Sequence, residues 1–284
     1  MANEFKFTKM QGVGNDFVLI DGRLESGYDW STLAMEVCDR RSGIGADGLL
    51  VLDNTHQADV MMRMYNPDGT PDVCGNGLRC VARYAMERGG VNSSRVRVQT
   101  LAGVRDASLI SAPGGASSLV QVSMGQPRFA PSEIPMSVCL EEVKDFRLQL
   151  KNGVSLQITA LSTGSTHSVT FVESLPNDDV YFDLSPEVEA HPLFPDRTSM
   201  MWCRVIDKCH LELRIWERGA GETWGCGTGA CAAAVAAIRH GFAKQGEPIS
   251  VISKGGKLTI EWREGEAIRM TGPAEFVYEG VYPR

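Results

Sequence analysis

The sequence predicts an α+β fold built from two similar domains in tandem. Two observations support this prediction: five short motifs of the first half recur in the second half in the same order, and in each half strand-like segments surround one helical segment. A chain of 284 residues is long enough for two domains of ordinary size. The repeat divides the chain into an N-terminal half, residues 1–127, and a C-terminal half, residues 128–272.

The five repeated motifs keep nearly the same spacing in both halves, which is the signature of an internal duplication. The motif pairs are Gly14–Val18 with Gly164–Val169, Met62–Asn66 with Leu213–Glu217, Cys74–Gly77 with Cys226–Gly229, Val96–Thr100 with Ile249–Ser253, and Val122–Pro127 with Ile268–Pro273. One match alone would be weak, but five in register indicate homologous halves.

The individual elements follow from hydrophobic patterning. Alternating apolar segments predict strands, and the Ala-, Met- and Arg-rich segment after each Cys-Gly-x-Gly motif predicts a helix. In chain order the predicted strands are Phe5–Met10, Phe17–Ile20, Val60–Tyr65, Leu156–Leu161, Val169–Val172 and Leu211–Trp216. The predicted helices are Leu78–Arg88 and Ala230–His240, and Ala112–Gly115 predicts a turn.

Composition excludes several classes of function. Hydrophobic residues make up 43% and charged residues 22%, as in a soluble globular protein. A net charge of −7 argues against nucleic-acid binding, which needs clustered Lys and Arg. The N-terminal residues lack a signal-peptide pattern, and the longest apolar run, Ala230–Ile238, is too short to span a membrane. We therefore expect a cytoplasmic protein with no membrane partner and with reduced thiols.

Two of the eight cysteines, Cys74 and Cys226, lie where a Gly-rich loop enters a helix. Free N–H groups and the helix dipole make such a position an anion site and lower the pKa of a thiol. Two thiols of this kind, one from each half, could face each other across a cleft and exchange the α-proton of a bound amino acid. The other six cysteines are expected to be packing residues, since none has Cys-x-x-Cys spacing, and we expect no metal site.

With these motifs the sequence resembles the diaminopimelate epimerase family, which belongs to the pyridoxal-phosphate-independent racemases. The resemblance covers the whole chain, and its most specific parts are Asn66–Gly69, Cys74–Cys80, Glu217–Thr223 and Cys226–Cys231. It implies two α/β domains, each a strand barrel around a central helix, with residues 273–284 returning to the first domain. It also implies a homodimer with Tyr278 at the interface, an amino-acid substrate and no cofactor.

The resemblance further implies roles for individual residues. Cys74 and Cys226 match the acid–base pair, and His167 and Glu217 match the groups that assist the thiols, in an order that stays open. The matching substrate-holding side chains are Asn15, Asn66 and Arg218, and the matching backbone groups around the carboxylate are Gly75, Asn76, Gly227 and Thr228.

Three positions depart from the pattern of the family. Ser165 and Ser199 replace asparagines that bind the non-reacting end of the substrate, and Gly48 stands where some members carry a glutamine. A serine offers one hydroxyl instead of an amide, so the substrate preference could be changed.

The resemblance therefore implies an isomerase with the activity of the diaminopimelate epimerase family, interconversion of LL- and meso-diaminopimelate for lysine biosynthesis. The alternative is a racemase of another amino acid on the same scaffold, favoured by Ser165 and Ser199. A non-catalytic anion-binding protein would not need both cysteines together with His167 and Glu217. A pyridoxal-phosphate enzyme would need a Schiff-base lysine, and none is suitably placed.

Overall fold

The computed structural model describes residues 4–25, 27–110, 118–151 and 153–283. The turn predicted at Ala112–Gly115 lies outside these residues. The first elements in chain order are β1 (Glu4–Gly12), β2 (Asn15–Asp21), α1 (Trp30–Val37), β3 (Gly48–Asp53), β4 (Val60–Tyr65), α2 (Gly75–Glu87), β5 (Arg95–Thr100), β6 (Gly103–Leu109) and β7 (Ser118–Ser123). They are followed by β8 (Val143–Gln149), β9 (Ser155–Ser162), β10 (Thr166–Val172), α3 (Asp178–Glu189), β11 (Ser199–Asp207), β12 (His210–Glu217), β13 (Gly221–Thr223), α4 (Gly227–Arg239), β14 (Ile249–Ser253), β15 (Gly256–Glu261) and β16 (Arg269–Pro283).

The chain forms two compact units. Unit 1 contains the described residues up to Ser123 together with those from Thr271 onward, and unit 2 contains Met124–Met270. The same order of elements recurs in both units, and the predicted fold class, strands around a central helix in each half, is confirmed.

Unit 1 is a closed barrel around α2. Its strands are hydrogen-bonded in the order β1–β2–β3–β4–β5–β6–β7–β16, and β16 pairs with β1 to close the ring. The helix packs against every strand from β1 to β7, so it fills the interior. Strand β3 is buried almost throughout because α2 covers one face and α1 the other.

Unit 2 also has its strands arranged around a central helix, α4. Its strands pair in the order β8–β9–β10–β11–β12–β14–β15, with β13 added to β12. The central helix is Ala-rich and almost wholly buried, since small side chains let six strands approach it closely. Helix α3 lies on the other side of β11 and β12, where Tyr181, Leu184 and Trp202 are part of a second core.

The structure corrects two features of the predicted elements. Both central helices begin three residues earlier than expected, at Gly75 and Gly227, because the glycine motif forms the first helical turn and a cysteine caps it. Each unit also has a second helix, α1 or α3, besides the one predicted for its half. Among the described residues, no helix combines the length and apolar character needed to cross a bilayer.

Candidate active site

The two cysteines of the repeat occupy the same position in their own units. Cys74 is the N-cap of α2 and Cys226 is the N-cap of α4, each with extended backbone dihedrals. The Sγ atom accepts a hydrogen bond of 3.3 Å from the third following amide, Gly77 N in unit 1 and Gly229 N in unit 2. Both thiols are therefore held at the positive end of a buried helix, as the sequence predicted.

The glycines of these motifs are needed for close packing. A Cβ atom at Gly77 would lie 2.8 Å from Leu50 Cδ2, and one at Gly229 would lie 2.5 Å from Met201 Sδ. Both distances are far below van der Waals contact. Glycine therefore allows the first turn of each central helix to sit directly against a strand.

In unit 1, two asparagine side chains lie next to the Cys74 thiol. The Asn15 Oδ1 atom is 3.7 Å from Cys74 Sγ and also accepts a 3.4 Å hydrogen bond from Asn76 Nδ2. Asn76 in turn accepts a hydrogen bond of 2.9 Å from the buried guanidinium of Arg79. Three residues that the sequence assigned to the site, Asn15, Cys74 and Asn76, are thus brought together.

A charged network fixes the direction of the Asn15 amide. Its Nδ2 donates to Asp47 Oδ2 at 2.7 Å, which leaves Oδ1 facing the thiol. Arg40 joins the carboxylates of Asp47 and Asp16, each at 2.7 Å. Burial alone would raise the pKa of Asp16, but hydrogen bonds from Arg40 and Lys9 outweigh it and lower this pKa to about 2. Asp47 was not predicted as a site residue, since a single acidic residue carries no local signal in the sequence.

In unit 2, the Cys226 thiol is buried beside a carboxylate. Its Sγ lies 3.3 Å from Thr228 Oγ1, and it is hydrogen-bonded to Glu217, whose carboxylate also accepts from Thr223 Oγ1. Burial, and next the negative charge of Glu217, raise the pKa of Cys226 well above its ordinary value. The expectation that the helix N-terminus lowers this thiol's pKa is wrong for Cys226, which is a protonated thiol here.

His167 is completely buried in β10. Its Nε2 lies 3.1 Å from Ser165 Oγ, and its Nδ1 has no hydrogen-bond partner among the residues that the structure describes. Burial, and next the positive charge of Arg218, lower the pKa of His167 to about 3, so the imidazole is neutral at physiological pH. Ser165 thus directs its hydroxyl to another candidate residue.

Ser199 and Arg218 are also paired. The backbone N–H of Arg218 donates to Ser199 Oγ at 3.1 Å, and its guanidinium donates to Asp196 O at 2.9 Å. Ser199 begins β11 directly opposite His167 of the parallel strand β10. This unit therefore assembles Ser165, His167, Ser199 and Arg218 through hydrogen bonds and strand register.

The remaining predicted residues lie as follows. Asn66 follows β4, where its Nδ2 donates to Thr70 Oγ1 at 3.1 Å and to Asp72 Oδ2 at 3.3 Å. Gly48 begins β3, and a Cβ there would lie 2.6 Å from Met64 Cε, so a larger side chain would require Met64 to move. Tyr278 is about half exposed on β16, with its ring against Phe7.

Comparison with known proteins decides the family. The family model described as diaminopimelate epimerase matches residues 7–130 and 159–277. The chain belongs to the diaminopimelate epimerase family. A relative from Pelotomaculum thermopropionicum named diaminopimelate epimerase is 47% identical over 98% of both chains. A relative of the same name from Moorella thermoacetica is 44% identical over 98% of this chain and 99% of its own.

Solved structures of low sequence identity support the fold of this family. A hydroxyproline epimerase from Agrobacterium vitis is 15% identical, with a TM-score of 0.68 over 99% of this chain and 91% of its own. A PhzF-family protein from Bacillus anthracis is 17% identical, with a TM-score of 0.69 over 99% of both chains. The named relatives of the family do not favour the alternative racemase of another amino acid.

Proposed function

We propose that this protein is an isomerase that inverts one α-carbon of diaminopimelate, interconverting the LL and meso forms without a cofactor. The observation that carries the proposal is the cysteine N-cap repeated in both units, with the same 3.3 Å contact from Sγ to a first-turn amide. Full-length relatives named diaminopimelate epimerase support the choice of substrate.

The substrate carboxylate next to the reacting carbon would bind at the helix N-termini. First-turn N–H groups have no partner within their helix, and the helix dipole favours negative charge there. The proposed donors are the backbone amides of Gly75 and Asn76 in α2 and of Gly227 and Thr228 in α4. Negative charge grows on this carboxylate as the α-proton leaves, so the same donors would stabilise the transition state.

In one direction of the proposed reaction, Cys74 is the base and Cys226 the acid. The α C–H bond breaks, its proton forms an S–H bond on Cys74, and the electron pair is delocalised into the carboxylate. The S–H bond of Cys226 breaks as its proton moves to the opposite face of the same carbon. Burial and Glu217 keep Cys226 protonated beforehand, which fits the role of the acid. In the reverse direction the two roles are exchanged.

The other candidate residues would hold the substrate. Arg218 suits the distal carboxylate, because a guanidinium can donate two parallel hydrogen bonds to it. Asn15 and Asn66 would bind polar groups of the substrate, as would Ser165 and Ser199. We assign His167 to the Cys226 side of the site because it belongs to unit 2.

We also propose a cytoplasmic homodimer with exposed side chains of β16, Tyr278 among them, at its interface. Val277, Tyr278 and Val281 are each about half exposed on this strand. Size measurements in solution, comparing wild type with Tyr278→Glu, test this part. A monomeric wild-type protein would refute it.

The test of the activity is turnover of LL-diaminopimelate in deuterated water. We expect meso-diaminopimelate with deuterium at the inverted carbon, and a loss of about 10²–10⁴-fold in kcat for Cys74→Ala and for Cys226→Ala. Cys139→Ala is the matched control, since Cys139 is an exposed cysteine of neither cap. Turnover within tenfold of wild type in either cap variant would refute the two-thiol scheme. Equal turnover of other amino acids would refute the substrate.

A further inference from the structure

A buried carboxylate outside the predicted site lies against the segment that carries Glu217 and Arg218. Glu189 is the last residue of α3, and only 5% of it is exposed. It accepts a 2.6 Å hydrogen bond from Trp216 Nε1 and a 2.7 Å hydrogen bond from Gly219 N, and it also pairs with Arg197. Trp216 and Gly219 immediately flank the two candidate residues, so one side chain holds both ends of their segment.

The segment held in this way is a tight turn. Ala220 N donates to Glu217 O at 3.1 Å, and Gly219 has a φ of 79°, a left-handed conformation that favours glycine. Arg218 is the second residue of the turn, so the backbone conformation of the turn sets the direction in which its side chain leaves the backbone. Inside the turn, the Gly219 amide points to Glu189.

We propose that Glu189 is a positioning residue that fixes the Glu217–Ala220 turn, and thereby aims the Glu217 carboxylate at the Cys226 thiol and Arg218 at the substrate. The inference rests on the proposed function for the role of Arg218. The placement of Glu217 next to Cys226 does not depend on the proposed function.

A purely structural role explains Glu189 poorly. A buried carboxylate loses its hydration, and replacing a buried ion pair by apolar residues is often neutral or stabilising. Here the carboxylate oxygens serve three donors: Trp216 at the end of β12, Gly219 in the turn, and the strained Arg197, which has a φ of 62°. Such an arrangement is favoured where geometry, and not stability alone, is needed.

Charged groups around the turn come from several elements. The negative charge of Glu217 helps to raise the pKa of Cys226, and the positive charge of Arg218 helps to lower the pKa of His167. Arg197 forms an ion pair with Glu189. On the face of β12 that also carries Trp216, Arg214 pairs with Asp178 and Glu222. A displaced turn would change the first of these interactions most directly, since Glu217 is its first residue.

The test compares Glu189→Gln with Glu187→Gln, the same change on the same helix. Glu187 accepts a hydrogen bond from Lys151 N and, within the part of the chain that the structure describes, none from the turn. We expect Glu189→Gln to lower kcat/KM for LL-diaminopimelate about tenfold or more, with KM raised through Arg218. Glu187→Gln is expected to stay within twofold of wild type, as estimated for a surface substitution.

A second readout requires no turnover. Thiolate absorbance near 240 nm is measured against pH as the difference between each protein and its Cys226→Ala counterpart. Glu189→Gln should move the appearance of the Cys226 thiolate to lower pH by about one unit, because Glu217 no longer opposes ionisation at the thiol. If wild type turns nothing over and this shift still occurs, the proposed function fails and the positioning role stands.

Two more variants distinguish a loss of stability from a loss of positioning. Arg197→Gln removes the ion pair with Glu189 but keeps the hydrogen bonds from Trp216 and Gly219 to Glu189. The thiolate titration of this variant should therefore equal that of wild type. If Glu189→Gln does not fold, Trp216→Phe removes one of the two attachments and should give a smaller shift in the same direction. An unchanged titration in Glu189→Gln, or in Trp216→Phe where that variant stands in, would overturn the proposal.

Discussion

Removal of the Asp47 carboxylate should release the Asn15 amide that faces Cys74. The 2.7 Å hydrogen bond from Asn15 Nδ2 to Asp47 Oδ2 has a charged acceptor, and such bonds contribute about 1.5–3 kcal/mol. The Arg40–Asp47 ion pair adds little because both side chains are more than one third exposed. Asp47→Ala should therefore lower the free energy of unfolding by about 1–3 kcal/mol.

The effect on activity follows from the same hydrogen bond. Without Asp47, the Asn15 amide can rotate and present Nδ2 instead of Oδ1 to the thiol. An energy of about 1.4–2.8 kcal/mol corresponds to a 10- to 100-fold loss of kcat/KM. Turnover of LL-diaminopimelate at saturating and at low substrate concentration, with urea unfolding of the same samples, gives both quantities.

The matched control for Asp47 is Asp53→Ala. Asp53 is an aspartate of the same unit whose carboxylate pairs with Arg63 on the neighbouring strand β4. We expect Asp53→Ala to lose an ion pair comparable to the one between Arg40 and Asp47, and to keep wild-type turnover. Wild-type kcat/KM in Asp47→Ala, or an equal loss in Asp53→Ala, would refute the proposed control of Asn15 by Asp47.

Two further predictions concern buried cationic and imidazole groups. Arg79→Met should lower the free energy of unfolding by about 1.5–3 kcal/mol, because the buried guanidinium donates to Pro273 O and Asn76 Oδ1. A loss below about 1 kcal/mol in urea unfolding would contradict this. His167 has a folded-state pKa of about 3. The unfolded chain binds its proton near pH 6.5, so stability should fall as the pH drops from 6.5 towards 3, and His167→Gln should flatten this dependence. Urea midpoints that change equally with pH in both proteins would show that His167 is not the cause.

The parts of the fold that local patterns determine could be predicted from sequence. The 2-residue and 3.6-residue periodicities predicted both central helices and six of the described strands, β1, β2, β4, β9, β10 and β12. The repeated motifs predicted the positions of the cysteine caps. Asp47 and Glu189 could not be found in this way. Asp47 binds a residue 32 positions away, and Glu189 binds one 30 positions away, so their roles exist only after folding.

The direction of the pKa shift of Cys226 could not be predicted from the sequence either, because it also depends on contacts that form only in the folded chain. A helix N-terminus contributes about half a positive charge, which favours a thiolate. The sequence also contained Glu217, but neither the burial of the thiol nor the direction of that carboxylate could be known. Burial and Glu217 together reverse the sign of the helix effect.

The features that the two halves share, and those in which they differ, have separate consequences for the proposed proton transfer. Both halves keep the same cap, so each thiol receives the same amide hydrogen bond. The neighbours differ: the Asn15 amide lies beside Cys74, whereas the Glu217 carboxylate lies beside Cys226. Two thiols in identical surroundings would have equal affinities for a proton, and the free enzyme would have no defined acid. A carboxylate on one side favours the protonated form of Cys226 in the free enzyme, which is the state that the proposed inversion needs when Cys74 is the base.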